Sequence, residues 1–419
     1  MVISSLKSLS SSRSFRTTFI YYCGTFFLSF TNYLFHLILI RILVPSAYGE
    51  FLTLISFLYI IAIPTNTVSI VVTKYISDFY GKGDSNSINR FFYFSLSKII
   101  LPALVISGTV ILFASPLAVL LKAHPLAFII LGVSLVSSFI GSLLRSYLIS
   151  FHQFNFSIFL GVLEISVRML VTVILVKLGL GATGAVTAML FSGLIIHAIT
   201  LLRLRPSILP RLTGDFHRHI SFSKLMVFSL IYSVGTLSLL STDVLTVRIF
   251  FDTHTSGLYS GLSMLGRIIY FGMTPLTGLM LPLVASRHSA GTATKRVFHR
   301  LSFATFGLGL VGLLIFITFP GLIVSKMAGT AYLEVTPLLP FYALTMFIFA
   351  LSYQIITYCV AIGKNYPNII LLIITLAQPI ILTLFHPSLH FIVFTNLILQ
   401  VTLFLILFSY YKIALKAVL

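Results

Sequence analysis

Solid blocks of apolar residues, separated by short polar segments, follow one another from Phe19 to Tyr411. Most blocks reach the ~20 residues that an α-helix needs to cross the hydrocarbon core of a membrane. Strands of a membrane β-barrel would alternate apolar and polar residues instead. The pattern predicts an all-α polytopic membrane protein with about twelve transmembrane helices. We place the spans at residues 18–40, 51–73, 96–121, 126–149, 158–178, 182–202, 224–247, 257–283, 301–325, 337–361, 366–385 and 389–411.

Composition agrees with this pattern. Hydrophobic residues make up 58% of the 419 residues and charged residues only 8%, whereas soluble domains carry roughly a quarter charged residues. The net charge of +19 would suggest a nucleic-acid partner in a soluble protein. Here the charges stand mainly at the ends of the spans, so we expect contacts with membrane lipids and none with nucleic acid.

The placement of basic residues predicts the orientation. If the N-terminus is cytoplasmic, nineteen Lys and Arg residues lie on the cytoplasmic side and five on the outer side. The other three, Arg145, Arg168 and Arg267, lie within spans. Positively charged loops remain cytoplasmic during insertion, so we expect both termini in the cytoplasm.

The two halves of the chain resemble each other at an offset near 207 residues. Matching residues recur in the same order: Arg41 with Arg248, Gly49 with Gly257, Pro64 with Pro275, and Pro116 with Pro320. Two apolar sequences can also align by chance, and the ordered recurrence argues against that alternative. Six spans per half make the halves parallel, as in transporters that alternate access around a central cleft.

This repeat predicts three regions. Residues 1–202 form an N-terminal six-helix half, residues 203–223 a basic cytoplasmic linker, and residues 224–419 a C-terminal six-helix half. No Walker-type phosphate loop is present, so the chain itself has no nucleotide-hydrolysis motif. Transport would be driven by an ion gradient, by the substrate's own gradient or by a partner.

An enzyme is the main alternative to a transporter. A membrane-embedded glycan polymerase or transferase would need carboxylates or basic residues gathered on large external loops. The predicted external loops carry only Glu50, Asp252 and Glu334, which are far apart in sequence. We therefore predict no catalytic residues, metal or cofactor.

The residues around span 2 carry a resemblance to a known family. The run from Arg41 to Phe51, with Lys74-Tyr-Ile-Ser77 after the next helix, resembles the polysaccharide transporters and O-antigen flippases of the multidrug/oligosaccharidyl-lipid/polysaccharide exporter superfamily. The resemblance continues in Gly257-Leu-Tyr-Ser-Gly261 and Leu281-Pro282. It covers nearly the whole chain as an architecture. The chain lacks the extra pair of spans found in the peptidoglycan-precursor branch.

The resemblance implies a flippase that moves undecaprenyl-diphosphate-linked oligosaccharide units across the bacterial inner membrane, for O-antigen, lipopolysaccharide or a related surface polysaccharide. The expected partners are this lipid-linked substrate, a coupling proton or sodium ion, and polysaccharide polymerases. A multidrug or cation antiporter of the same superfamily is the alternative, and it would favour an acidic cavity over a basic one.

Arg267 is the first candidate for binding an anionic diphosphate, because an arginine near mid-membrane costs roughly 2.5–3.5 kcal/mol on insertion scales. A structural partnership with a carboxylate or with free carbonyls is its alternative role. Arg41 and Arg248 close spans 1 and 7 on the outer side. They could hold head groups at the outer mouth or simply anchor the helices at the interface.

His36 and Asp243 each stand five residues before one of these two arginines. The repeat gives them equivalent depths, so we expect them on the same cleft as candidates for ion coupling. Simple hydrogen bonding of His36, and neutralisation of an arginine by Asp243, is the alternative.

Secondary candidates are Glu164, Arg168 and Arg145. Glu164 and Arg168 are four residues apart and share a helix face, which favours an intrahelical ion pair over a substrate contact. Arg145 is expected to have a structural role near the cytoplasmic end of its span.

The orientation is tested with reporter fusions at Ser85, Gly214 and Gly291, all in loops that we predict to be cytoplasmic. Cytoplasmic reporters should be active at all three sites, because each loop follows an even-numbered span. A periplasmic signal at Gly214 would contradict the predicted topology.

Overall fold

The computed structural model describes residues 13–208, 222–289, 294–364 and 366–414. Every regular element in these ranges is helical. The helices are α1 (Arg13–Ile42), α2 (Pro45–Ile61), α3 (Ile63–Gly81), α4 (Ser85–Leu112), α5 (Ala114–Leu120), α6 (Pro125–Ser150), α7 (Phe154–Lys177), α8 (Gly181–Ile208), α9 (Phe222–Leu239), α10 (Thr242–Phe250), α11 (Thr253–Ser289), α12 (Lys295–Thr318), α13 (Pro320–Ile323), α14 (Leu339–Ala361), α15 (Tyr366–Leu384) and α16 (Leu389–Ala414). A π-helical turn (Val324–Ala328) and a 3₁₀ segment (Thr330–Leu338) join α13 to α14.

Ten helices in the described ranges are long and apolar enough to cross a membrane, and two bent helix pairs raise the number of spans to as many as twelve. This confirms the predicted all-helical polytopic fold class. Most of the predicted linker, together with Gly214 and Gly291, lies outside the described residues. Helix α8 continues to Ile208, so residues 203–208 of the predicted linker are helical. The division into two halves stays a prediction.

Two predicted spans are bent rather than straight. Helices α2 and α3 meet at Ala62 with a bend of 48°. Pro64 stands in the first turn of α3, where its missing N–H interrupts the hydrogen-bond ladder. Helices α9 and α10 meet at a bend of 46° between Leu239 and Thr242, where the sequence has no proline or glycine. Pro275, the predicted counterpart of Pro64, lies inside α11 without ending it.

The starts of α2 and α11 cross in backbone contact at one end of the bundle, which we call the Arg41 end because α1 finishes there at Arg41 and Ile42. A Cβ atom on Gly49 would lie only 2.7 Å from the Cα of Gly257, and one on Gly257 would overlap the Pro45 carbonyl. Only glycine allows this approach, since any side chain would force the two helices apart.

We predict that Gly257→Ala destabilises the protein by roughly 1–3 kcal/mol, because the added methyl group overpacks a backbone contact. Gly272→Ala is the matched control on the same helix, since a Cβ atom there has no neighbour within 4 Å. The measurement is the thermal midpoint of the detergent-solubilised protein, determined from the loss of its monomer peak on heating. Equal midpoints for the two variants would contradict the close crossing.

Candidate functional site

A cavity of about 100 Å³ lies between α1, α2 and α11. We call it the central cavity. Its wall consists of Ser29, Asn32, Tyr33, His36, Leu52, Ile55, Tyr59, Met264, Arg267 and Phe271. The cavity thus combines an apolar lining with a few polar groups, as small-molecule sites commonly do. Two of the residues singled out in the sequence, His36 and Arg267, share this wall.

Arg267 reaches from the cavity wall to the bend between α9 and α10. Its side chain is 5% exposed, and Nη2 donates a hydrogen bond to the carbonyl of Leu240. In a continuous helix, Val244 N–H would bond this carbonyl; here it donates to the Asp243 carboxylate at 2.8 Å. The bend therefore frees a backbone acceptor for the arginine.

Asp243 lies 3.6 Å from Arg267, between its Oδ1 and the arginine Nη2. Its other oxygen, Oδ2, accepts hydrogen bonds from the hydroxyls of Tyr259 (2.9 Å) and Tyr342 (2.8 Å). The Tyr342 hydroxyl also lies 2.9 Å from Ser263 Oγ. This network fixes a buried carboxylate, which offsets the arginine charge in an apolar surrounding.

Three buried polar atoms on the wall have no hydrogen-bond partner among the described residues: Arg267 Nε, His36 Nδ1 and the Tyr33 hydroxyl. Buried polar groups are nearly always paired, so unpaired ones need an explanation. Three residues of one cavity wall therefore each carry a buried polar atom without a partner among the described residues.

The structure places His36 on the wall of the central cavity and Asp243 outside that wall. His36 lines the central cavity and packs against the rings of Phe35 and Phe51. Asp243 lies behind Arg267, 2% exposed and held by the two tyrosines. Their role in ion coupling stays a prediction.

Arg41 and Arg248 each bond backbone carbonyls in the opposite half of the sequence. Arg41 donates to the carbonyls of Ser325 (3.2 Å), Lys326 and Met327 (3.1 Å), in the π-helical turn. Arg248, 2% exposed, donates to the carbonyls of Leu121 (2.9 Å) and Lys122 after α5. These contacts cap helix ends, so neither arginine belongs to the central cavity.

The ion pair expected from the spacing of Glu164 and Arg168 is present on α7. Arg145 also reaches Glu164, at 3.3 Å, and so joins α6 to α7. The Arg168 guanidinium lies 5.8 Å from the centre of the Phe35 ring. The three charges form one cluster with two cations and one anion.

Sequence reasoning missed the tyrosines of the site, Tyr33, Tyr259 and Tyr342. Tyrosine in a membrane protein is usually an interfacial anchor, so its type alone gives no signal for a mid-span role. Tyr259 and Arg267 are eight residues apart on α11, which is about two helical turns and places them on one face. This spacing was the feature of the sequence that indicated a shared orientation towards Asp243.

No protein-family model and no curated protein sequence matches the chain. A multidrug resistance MATE family transporter of the MOP superfamily, in an inward-facing conformation, matches with a TM-score of 0.74 and 14% identity over 92% of this chain and 94% of its own. An outward-facing MATE family transporter matches with a TM-score of 0.66 and 15% identity over 94% of each chain. The inward closed conformation of the lipid II flippase MurJ gives a TM-score of 0.73 and 15% identity over 94% of this chain and 87% of that one. The chain therefore has the fold of MOP-superfamily transporters.

We predict that Asp243→Asn destabilises the protein by about 3–5 kcal/mol, because it leaves the Arg267 charge buried without a counter-ion. The double variant Asp243→Asn/Arg267→Gln should recover most of this loss, since neither charge remains. Thermal midpoints of the wild type, the single variants and the double variant measure the coupling. Additive losses would show that the two residues do not form an energetic pair.

Proposed function

We propose that the protein is a flippase that carries undecaprenyl-diphosphate-linked oligosaccharide across the bacterial inner membrane by alternating access. The observation that carries this proposal is a buried arginine on the wall of a cavity inside an apolar bundle, with its Nε unpartnered among the described residues. Asp243 offsets much of the arginine charge, and the guanidinium still lines the cavity with donors for an anionic group such as a lipid diphosphate. His36 and Tyr33 add groups that can bond the same head group.

The position of the cavity suits a substrate that keeps its tail in lipid. It lies between α1 and α11, and the large apolar side chains Phe26, Phe30 and Phe271 near it are exposed on the protein surface. In a bilayer, such side chains face hydrocarbon. A polyprenyl tail can remain between them while only the polar head enters the protein.

The closed Arg41 end supports an inward-facing state for this structure. The Gly49–Gly257 crossing and the caps made by Arg41 and Arg248 hold that end together. On the predicted topology it is the outer end. The higher TM-score with the inward-facing than with the outward-facing MATE transporter, 0.74 against 0.66, agrees with this assignment.

A multidrug antiporter is the second candidate, favoured by the structural similarity to MATE transporters. A cationic drug would meet the guanidinium of Arg267 in this cavity. The nearby carboxylate, Asp243, is already engaged by Tyr259 and Tyr342. The charge arrangement therefore favours an anionic head group over an organic cation.

Deleting the gene from its bacterium should stop surface glycan display, with lipid-linked precursor accumulating on the inner leaflet. Arg267→Lys should restore part of the display. The lysine keeps the positive charge, and for a mobile diphosphate this charge matters more than the planar, two-donor geometry of the guanidinium. The double variant Asp243→Asn/Arg267→Gln should fold but not restore display. The measurements are surface glycan by lectin or antibody binding, precursor by mass spectrometry, and protein level by immunoblot.

Normal display in the deletion strain would overturn the flippase proposal. Full display with the double variant, at wild-type protein level, would remove Arg267 from substrate binding. Increased drug sensitivity of the deletion strain, with unchanged glycan display, would favour the antiporter.

A further inference from the structure

A second cavity, of about 280 Å³, lies between α3, α6, α7 and α8. We call it the hydroxyl cavity, because most of its wall is polar in a chain with few polar residues. The wall includes Thr65 and Asn66 on α3, Ser142 on α6, Glu164 on α7 and Thr200 on α8. The central cavity is formed by other helices, so the two are separate spaces.

A ladder of serines explains part of this polarity. On α6, Ser142 donates to the Thr65 carbonyl of α3 at 3.1 Å. The hydroxyls of Ser146 and Ser150 lie 3.3 and 3.1 Å from the carbonyls of residues 69 and 73 on α3, and closer, at 2.8 and 2.7 Å, to carbonyls one turn back on α6. The steps of four residues keep the hydroxyls on one face of α6. The ladder joins the two helices, and it needs no ligand.

The ladder nevertheless leaves the cavity rich in acceptors. A serine or threonine hydroxyl has one donor hydrogen and two acceptor lone pairs. Ser142 uses its hydrogen on the carbonyl of residue 65, and Thr200 uses its own on Ile196. Their oxygens therefore face the cavity as acceptors, beside the carboxylate of Glu164.

Two further polar groups belong to residues of this wall. The Thr65 hydroxyl is buried without a hydrogen-bond partner among the described residues. The Asn66 side chain, on the same helix turn, lines the cavity and is exposed. An amide can both donate and accept. Such a wall matches a ligand that carries several donors and acceptors close together.

The charges of the wall exclude a metal cation, because Glu164 is paired with both Arg145 and Arg168 and the cluster has a net positive charge. Arg145 would attract a phosphate group, but a phosphate carries acceptors only and would leave the hydroxyl oxygens of Ser142 and Thr200 without a donor. A polyol has hydroxyl donors for those acceptors, and acceptors for Arg145 and Asn66.

The hydroxyl cavity and the central cavity are lined by the two arms of one bent span. Tyr59 lines the central cavity and Thr65 lines the hydroxyl cavity, on either side of the bend at Ala62. Six residues correspond to about 9 Å along a helix axis, so the two lining residues are within two turns of each other. A substrate whose first sugar is attached directly to its diphosphate would need two such neighbouring sites.

We propose that the hydroxyl cavity is a carbohydrate-binding site, which receives the saccharide attached to the lipid diphosphate while Arg267 binds the diphosphate itself. This inference rests on the proposed flippase function. It adds that recognition of the substrate is divided between two cavities. The central cavity binds the charged diphosphate, and the hydroxyl cavity binds the hydroxyl groups of the saccharide.

The test compares binding of two probes to purified protein in nanodiscs: undecaprenyl diphosphate, and undecaprenyl diphosphate carrying N-acetylglucosamine. The wild type should bind the glycosylated probe about tenfold more tightly, the gain of one or two net hydrogen bonds. Asn66→Leu/Ser142→Ala should abolish this preference and leave the affinity for undecaprenyl diphosphate unchanged. Arg267→Lys should weaken the binding of both probes.

Ser150→Ala is the matched control. It removes an equivalent bond of the serine ladder, yet Ser150 does not line the cavity. It should keep the tenfold preference. A wild type without preference, or a preference that survives Asn66→Leu/Ser142→Ala, overturns the carbohydrate site and leaves the flippase proposal standing. Failure of the wild type to bind either probe overturns both proposals.

Discussion

A guanidinium inside an apolar bundle must be given acceptors, and the bend between α9 and α10 provides them. The bend exposes the Leu240 carbonyl, and Asp243 supplies the counter-charge. Tyr259 and Tyr342 then hold the carboxylate in place. The position of Arg267 on the cavity wall depends on this arrangement, because without it the arginine would be too costly to bury. The local irregularity of one span thus makes the proposed site possible.

The same requirement explains the arginines at the Arg41 end. Helix ends leave carbonyls without intrahelical partners. Arg41 and Arg248 bond such carbonyls across the two halves of the sequence. Lys122 does likewise, donating to the carbonyls of Ile249 (3.1 Å) and Phe251 (2.5 Å) at the end of α10. Cations at helix ends therefore connect the chain's two halves at this end.

The all-helical, membrane-spanning fold class could be predicted from the sequence, since apolar blocks of span length admit only helices in lipid. The bend at Ala62 could be predicted from Pro64. The bend before Thr242 could not, because no proline or glycine stands there in the sequence. Arg267 stood out because charge at mid-span is rare. The sequence indicates a carboxylate or free carbonyls as its structural partners, and Asp243 and the Leu240 carbonyl fit that alternative. The contact with Leu240 could not be predicted, because the bend after α9 has no signal in the sequence. The roles predicted for Arg41 and Arg248 rested only on their position at the outer side of the membrane. The carbonyls that they bond could not be predicted, because these carbonyls come from segments distant in sequence.

The crossing of Gly49 and Gly257 also has an energetic consequence. Where two helices meet through large apolar side chains, parting them exposes hydrocarbon surface to water at a cost that grows with the area. Here peptide backbone meets peptide backbone, so parting the helices wets groups that water solvates well. The carbonyls now bonded by Arg41 and Arg248 would exchange those bonds for bonds to water, with a small net change in free energy. The glycine crossing and the arginine caps therefore make this interface close in shape while adding little to the free energy of parting the two helices.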